Sequence, residues 1–257
     1  MGKEVEMQDR RYLLSLEEIS DTLQVENQLE EDRLLEEASS KLDRERLKKL
    51  ENIKHGKSRL ESLGAGLLLQ LAVQEALCER GVYGSGENAS EEKGMEECRS
   101  SEDTEEGQIT YLTFSQLFDK VQEPLPLEYT YGEHGKPYLK NYPFYFNISH
   151  SGKYVFCVLS EQEIGADIQW KAPQVNERVL KRFFSLEERA YWERCSTEEE
   201  KRDFFYQMWC RKEAYGKLTG KGIADAVSVD MCMLELPVAI KEYELSEDYQ
   251  IAVCKWK

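Results

Sequence analysis

The chain has 257 residues, 40% of them hydrophobic and 11% aromatic, enough for one large domain or two modest ones with a real core. A net charge of -16 argues against non-specific binding to DNA or RNA, and three histidines are too few for a histidine-rich metal site, so any metal is expected to be a hard ion held by carboxylates. Seven cysteines without a CxxC pair, a charged N-terminus and no apolar run of the ~20 residues that span a bilayer lead us to expect a cytoplasmic protein with reduced thiols and no membrane or nucleic-acid partner.

Taken in order, residues 15–62 carry leucines among many Glu, Lys and Arg at amphipathic spacing, which predicts helices with solvated charged faces. Residues 63–78, LGAGLLLQLAVQEALC, are apolar nearly all round and predict a buried core helix. Residues 84–107 change character abruptly to an acidic stretch without aliphatic core residues, expected to be a disordered or loosely packed surface insertion. After it, 154–160 and 164–170 read as strands separated by a short polar turn, predicting an antiparallel hairpin. Helices are expected at 176–194 and 199–218, the second stopped by Gly220 and Gly222, and further strands near 227–234 and 249–256.

Three places could carry chemistry. In the strand IGADIQW, Asp167 and Gln169 share a face, and Gly165 admits a close neighbour. A lone Asp there is either paired, metal-bound or simply facing water at an edge. In DFFYQMWCRKEAYGKL, Phe205, Trp209, Glu213 and Lys217 follow at spacings of four along one stripe; the bland reading of the last two is an exposed ion pair. The segments GEHGKPYLKNYP and NISHSG place Lys136, Pro137, Ser149 and His150 in a setting that suits an anion and equally suits an ordinary loop. A Ser-His-Asp hydrolase is disfavoured, since no GxSxG elbow is present.

Together, GKPYL, FNISHSG, IGADIQ, KRFFSLEE and FFYQMWCRKEAYGKLTGKGI, in this order and spacing, resemble the 4′-phosphopantetheinyl transferases of the surfactin-synthetase (Sfp) type. The signature of a GxD strand followed by WxxKEAxxK corresponds here to Gly165, Asp167, Trp209, Lys212, Glu213, Ala214 and Lys217. The resemblance implies an α+β fold of two similar halves with pseudo-twofold symmetry, each a small antiparallel sheet packed with helices. The expected division is 1–160 and 161–257, with coenzyme A in the cleft between the halves. It implies transfer of the phosphopantetheine arm of coenzyme A to a serine of an apo acyl or peptidyl carrier protein, releasing 3′,5′-ADP, by a monomer using Mg²⁺, with Mn²⁺ as the alternative ion.

Carried over by position, Asp167 and Glu213 would hold the metal, with Gln169 beside them. Glu213 would also take the serine proton, and Lys217 would neutralise the departing phosphate. Ser149, His150 and Lys212 would contact coenzyme phosphates, Lys136 and Pro137 would frame the adenine end, and Lys48 and Arg59 are candidates for the 3′-phosphate. Gln169 departs from the Glu that many members carry, and a neutral amide is a weaker Mg²⁺ ligand. Carrier docking is expected around Lys181, Arg182, Phe183 and Phe184. The alternatives are a non-catalytic coenzyme-A-binding or scaffolding relative and, in another class, an acidic helical adaptor.

Overall fold

The structure, a computed structural model, describes residues 7–17, 28–54, 56–82, 108–233, 235–246 and 248–257. The acidic stretch 84–107 lies outside the described residues, as do 18–27 of the expected N-terminal helices. The chain forms mixed helices and small sheets, an α+β architecture, and divides into two compact units. One is Met1–Glu128 with Cys157–Glu161; the other is Tyr129–Phe156 with Gln162–Lys257. Among the described residues no helix is long and apolar enough to cross a membrane.

In the first unit, strand β1 (Arg10–Ser15) pairs in parallel with β2 (Thr110–Leu112). The helices are α1 (Gln28–Ser40), α2 (Arg44–Glu51), α3 (Gly56–Glu79) and α4 (Phe114–Lys120). β1 reaches residue 15, where helix was expected to begin: the run RRYLLS is a strand with four buried residues in succession. A short apolar run does not distinguish the two structures by periodicity. α3 contains the expected buried helix, with every residue from Leu63 to Gln74 buried. Its two buried glutamines are tolerated because they serve the chain beside them. Gln70 exchanges two hydrogen bonds with the Leu125 backbone at 2.8 and 3.1 Å, and Gln74 donates to the Glu123 carbonyl at 2.7 Å.

The second unit opens with the small antiparallel pair β3 (Tyr129–Tyr131) and β4 (Pro137–Leu139). β5 (Tyr145–Ser151) turns through Gly152 and Lys153 into β6 (Tyr154–Ser160). Gly152 has φ +58°, and a Cβ on it would lie 2.1 Å from the Tyr249 hydroxyl, so glycine is required twice over. β7 (Ile164–Trp170) lies beside β9 (Tyr249–Trp256), which is followed in the sheet by β8 (Val238–Ser246). All pairings in that sheet are antiparallel. The expected hairpin of β7 with its predecessor is therefore corrected. β7 takes its ladder partner from the far end of the chain, with Asp167 opposite Ala252.

The expected helix over 176–194 is two, α5 (Glu177–Phe183) and α6 (Leu186–Arg194). Ser185 caps α6 in a reciprocal box with Glu188, and that cap is what restarts the helix. α7 (Glu198–Thr219) begins on a second capping box, Thr197 with Glu200, and ends at Gly220 with φ +72°, as the glycines predict. Where a strand was expected at 227–234, the chain makes a one-turn helix α8 (Ile223–Ala226) and then turns; the strand is β8, further on. The core of this unit is built from α5, α7, β8 and β9, with Phe184 stacked on Phe205 at 5.1 Å.

Candidate active site

β5, β7 and α7 bring the candidate residues together, and the reason begins at Gly165. A Cβ there would sit 2.1 Å from the Ala214 carbonyl and 2.3 Å from the Leu218 nitrogen. Glycine on the strand thus lets the α7 backbone lie directly on β7. Below it, the Cys210 thiol donates to the Asp167 carbonyl at 3.3 Å and the Gln250 carbonyl at 3.5 Å. Cys210, Ala214 and Lys217 recur at helical spacing, so one face of α7 meets the strand that carries Asp167.

The opposite flank of β7 receives a row of side chains from β5. Asn147, Ser149 and Ser151 alternate along one face of that strand. The Asn147 side-chain oxygen accepts from the Ala166 N–H at 3.2 Å, and Ser151 Oγ accepts from the Trp170 N–H at 2.9 Å. Ser149 Oγ donates to Asp167 Oδ1 at 2.6 Å. Side chains thus satisfy two backbone donors on the sheet edge, and the third holds the carboxylate.

Asp167 does not face water; it is 4% exposed. Its Oδ1 accepts from Lys217 Nζ at 2.7 Å as well as from Ser149, and Lys217 also donates to Ser149 Oγ at 2.8 Å. Asp167 Oδ2 is buried and has no hydrogen-bond partner. Glu213 is half-buried, and its carboxyl is pushed above the usual glutamate range, first by burial, then by the Asp167 charge, with Lys217 pulling it back. Two carboxylates that repel each other, one with an unserved buried oxygen, fit a hard divalent cation, which accepts oxygen ligands and cancels the repulsion. Half-buried Gln169 stands two residues on along the same strand. The carboxylates are a pair rather than a trio: among the described residues no group of three or more His, Cys, Asp or Glu side chains is arranged to hold a metal.

Three expected phosphate or nucleotide contacts are engaged otherwise. Lys212 is fully buried, and its ammonium contacts Glu188 at 3.1 Å and the Ala226 and Val229 carbonyls at 3.0 and 2.7 Å. An ammonium has three protons, and these three contacts account for them. Ser149 donates its one hydroxyl proton to Asp167, an arrangement that orients the carboxylate. Lys136 is buried beside the end of α7, donating to the Leu218 carbonyl at 2.7 Å with Glu163 at 3.6 Å. Burial lowers its pKa against the pull of Glu163. At that position its cation complements the dipole of the helix C-terminus.

Pro137 opens β4, half-exposed, and His150 is exposed near the end of β5. Lys48 and Arg59 are exposed residues of the first unit, on α2 and α3. Arg59 lines a cavity of about 280 Å³ that Glu36 and Glu51 also line, a poor setting for an anion. Of the expected docking residues, Lys181 and Arg182 are exposed, Phe183 packs edge-on against Trp209 at 5.6 Å, and Phe184 is core.

Residue-by-residue reasoning did not single out Asn147, although the period of two in N-x-S-x-S signals one strand face. It also missed Cys210, for which no sequence signal exists, and Glu188, whose capping-box spacing after Ser185 was readable.

The arrangement has counterparts in known proteins. Residues 163–254, which run from just before β7 to the end of β9, match the family model of the 4′-phosphopantetheinyl transferase superfamily. The chain is 36% identical over 137 residues to 4′-phosphopantetheinyl transferase Sfp of Bacillus subtilis, covering 48% of this chain and 60% of that protein. It is 44% identical over 112 residues to a putative 4′-phosphopantetheinyl transferase of Synechocystis, 41% of this chain and 44% of that protein. Against the 4′-phosphopantetheinyl transferase AcpT of Salmonella typhimurium it is 37% identical over 149 residues, 56% of this chain and 75% of its relative. The chain thus spans 60% of the length of Sfp and three quarters of AcpT. With the matched segment carrying Asp167, Glu213 and Lys217 on elements that bring them to one place, the chain belongs to the 4′-phosphopantetheinyl transferase superfamily.

Proposed function

We propose that this protein transfers the 4′-phosphopantetheine arm of coenzyme A to a serine of an apo acyl or peptidyl carrier protein, with 3′,5′-ADP as the second product. The observation that carries this reading is the cluster of Asp167, Ser149 and Lys217 beside Glu213, with Asp167 Oδ2 unserved. Mg²⁺, or Mn²⁺ in its place, would be held by Asp167 and Glu213 with Gln169 alongside, and would supply neutralisation of pyrophosphate charge.

The chain's own residues do the rest. The hydroxyl of the carrier serine is a poor nucleophile, and Glu213, beside Asp167 and Lys217, would take that proton. Lys217 carries a positive charge at the same point and suits the charge that develops on the departing phosphate. Ser149 holds Asp167 in one orientation, so little reorganisation is needed when substrate arrives. Exposed Lys181 and Arg182, next to the exposed Leu186, are the docking surface we expect for the carrier. A cytoplasmic monomer and a pseudo-twofold relation between the halves belong to the same reading and rest on the family resemblance.

The test is direct. Purified protein is mixed with coenzyme A, Mg²⁺ and an apo carrier protein, and the carrier is weighed by mass spectrometry. A gain of one phosphopantetheine arm is expected. Binding of coenzyme A without transfer would instead identify a non-catalytic relative, and neither binding nor transfer would end the reading.

A further inference from the structure

Glu188 and Lys212 are both fully buried and lie 3.1 Å apart. Every contact they make is a strong one. Glu188 accepts from the Ser185 N–H at 2.8 Å and from the Met231 N–H at 2.7 Å. Lys212 donates to the Ala226 and Val229 carbonyls. The pair therefore joins the start of α6, the middle of α7 and the chain that follows α8.

A buried ion pair is a weak source of stability, because desolvating two charges offsets most of their attraction. Its location offers a better reason for it. Lys212 immediately precedes Glu213. It is two residues from Ala214, hence about 200° around the helix from the face that touches Gly165. α7 is thus held at the front by the strand and at the back by the ion pair, besides its apolar packing against β9. Apolar contacts are non-directional and fix the roll of a helix less sharply than a hydrogen-bonded pair. A roll of about 10° carries a side-chain tip, about 5–6 Å from the axis, through about 1 Å. Displacements of that size cost about 10²-fold in rate when they move reacting groups.

We propose that the buried Glu188–Lys212 pair is a positioning device that fixes the roll of α7 and so holds Glu213 and Lys217 in register with Asp167. Its kinetic consequence rests on the transferase reading above; its structural consequence does not.

The test is a double variant, Glu188→Leu with Lys212→Met, which replaces the pair by apolar groups of similar length. Should that variant not fold, Glu188→Gln with Lys212→Gln, which retains hydrogen-bonding groups for the same backbone partners, is measured in its place. We expect a thermal midpoint close to that of the parent. We expect KM for coenzyme A within about twofold and kcat lower by about 10- to 100-fold. A crystal structure of the variant is expected to show Lys217 Nζ moved beyond hydrogen-bond reach of Asp167. Parental kcat, or a loss of kcat that merely tracks the fraction unfolded, overturns the proposal. So does a retained Lys217–Asp167 contact, and that readout decides the matter even if the parent protein transfers nothing.

Discussion

In the proposed reaction Glu213 would take the proton of the carrier serine, and its environment has two measurable consequences. Burial and the Asp167 charge raise its pKa in the folded protein above the unfolded value, which is about 4.3 for a free glutamate. A raised acid favours the folded state only while protonated. Below the unfolded value it contributes no penalty. As pH rises from the unfolded value to the folded one the unfolded state ionises first and the penalty builds, and above the folded value it is complete. Glu213→Gln should therefore raise the thermal midpoint of the metal-free protein at pH 7 and leave it unchanged near pH 4. An equal or lower midpoint at pH 7 would show that the carboxylate is not held against its preference. The same variant should lose turnover by at least 10²–10³-fold, by analogy with other preorganised sites, while retaining part of its coenzyme binding.

At the scale of elements, the contact of β7 with α7 decides whether there is a site. Gly165 has an ordinary strand conformation, so its glycine is demanded by space rather than by backbone angle. The obstacle to a Cβ is helix backbone, the Ala214 carbonyl and the Leu218 nitrogen, which cannot swing aside as a side chain can. Gly165→Ala should cost about 1–3 kcal/mol in urea unfolding, in the range of overpacked cores. Because the same push separates Asp167 from Lys217, kcat should fall further than the stability loss explains; a variant with full kcat would detach this contact from the site. Much at this scale was legible beforehand. The extents of β6, β7, β9 and the buried part of α3 follow from apolar runs, and α7 from its stripe and terminal glycines. The strand partners were not. A sequence shows that Ile164–Trp170 is a strand, but its ladder with Tyr249–Trp256 joins residues some eighty positions apart, and nothing local encodes it.

For the whole molecule, charge is the governing quantity. With 50 acidic and 34 basic residues the protein is strongly anionic, and the family resemblance implies carrier proteins that are acidic as well. Long-range repulsion should slow their encounter at low ionic strength, where the screening length is about 30 Å at 0.01 M against about 8 Å at physiological salt. KM for the carrier should consequently fall as salt is raised over that interval, with kcat little changed. A rise instead would indicate that the local attraction of Lys181 and Arg182 dominates, and charge reversal at those two exposed residues would then abolish the salt dependence.

Residue types and their order were enough to identify the acid on the strand, the acid and lysine on the late helix, and the family to which the pattern is similar, because side-chain chemistry and helical or strand spacing are local properties. What each cation does was decided only by the fold. Lys136, Lys212 and Lys217 look alike in the sequence. Burial commits the first to the end of α7 and the second to Glu188, and only the third reaches Asp167. An ammonium goes where unpaired oxygens converge, and that convergence is a property of packed backbone, not of neighbours in the chain.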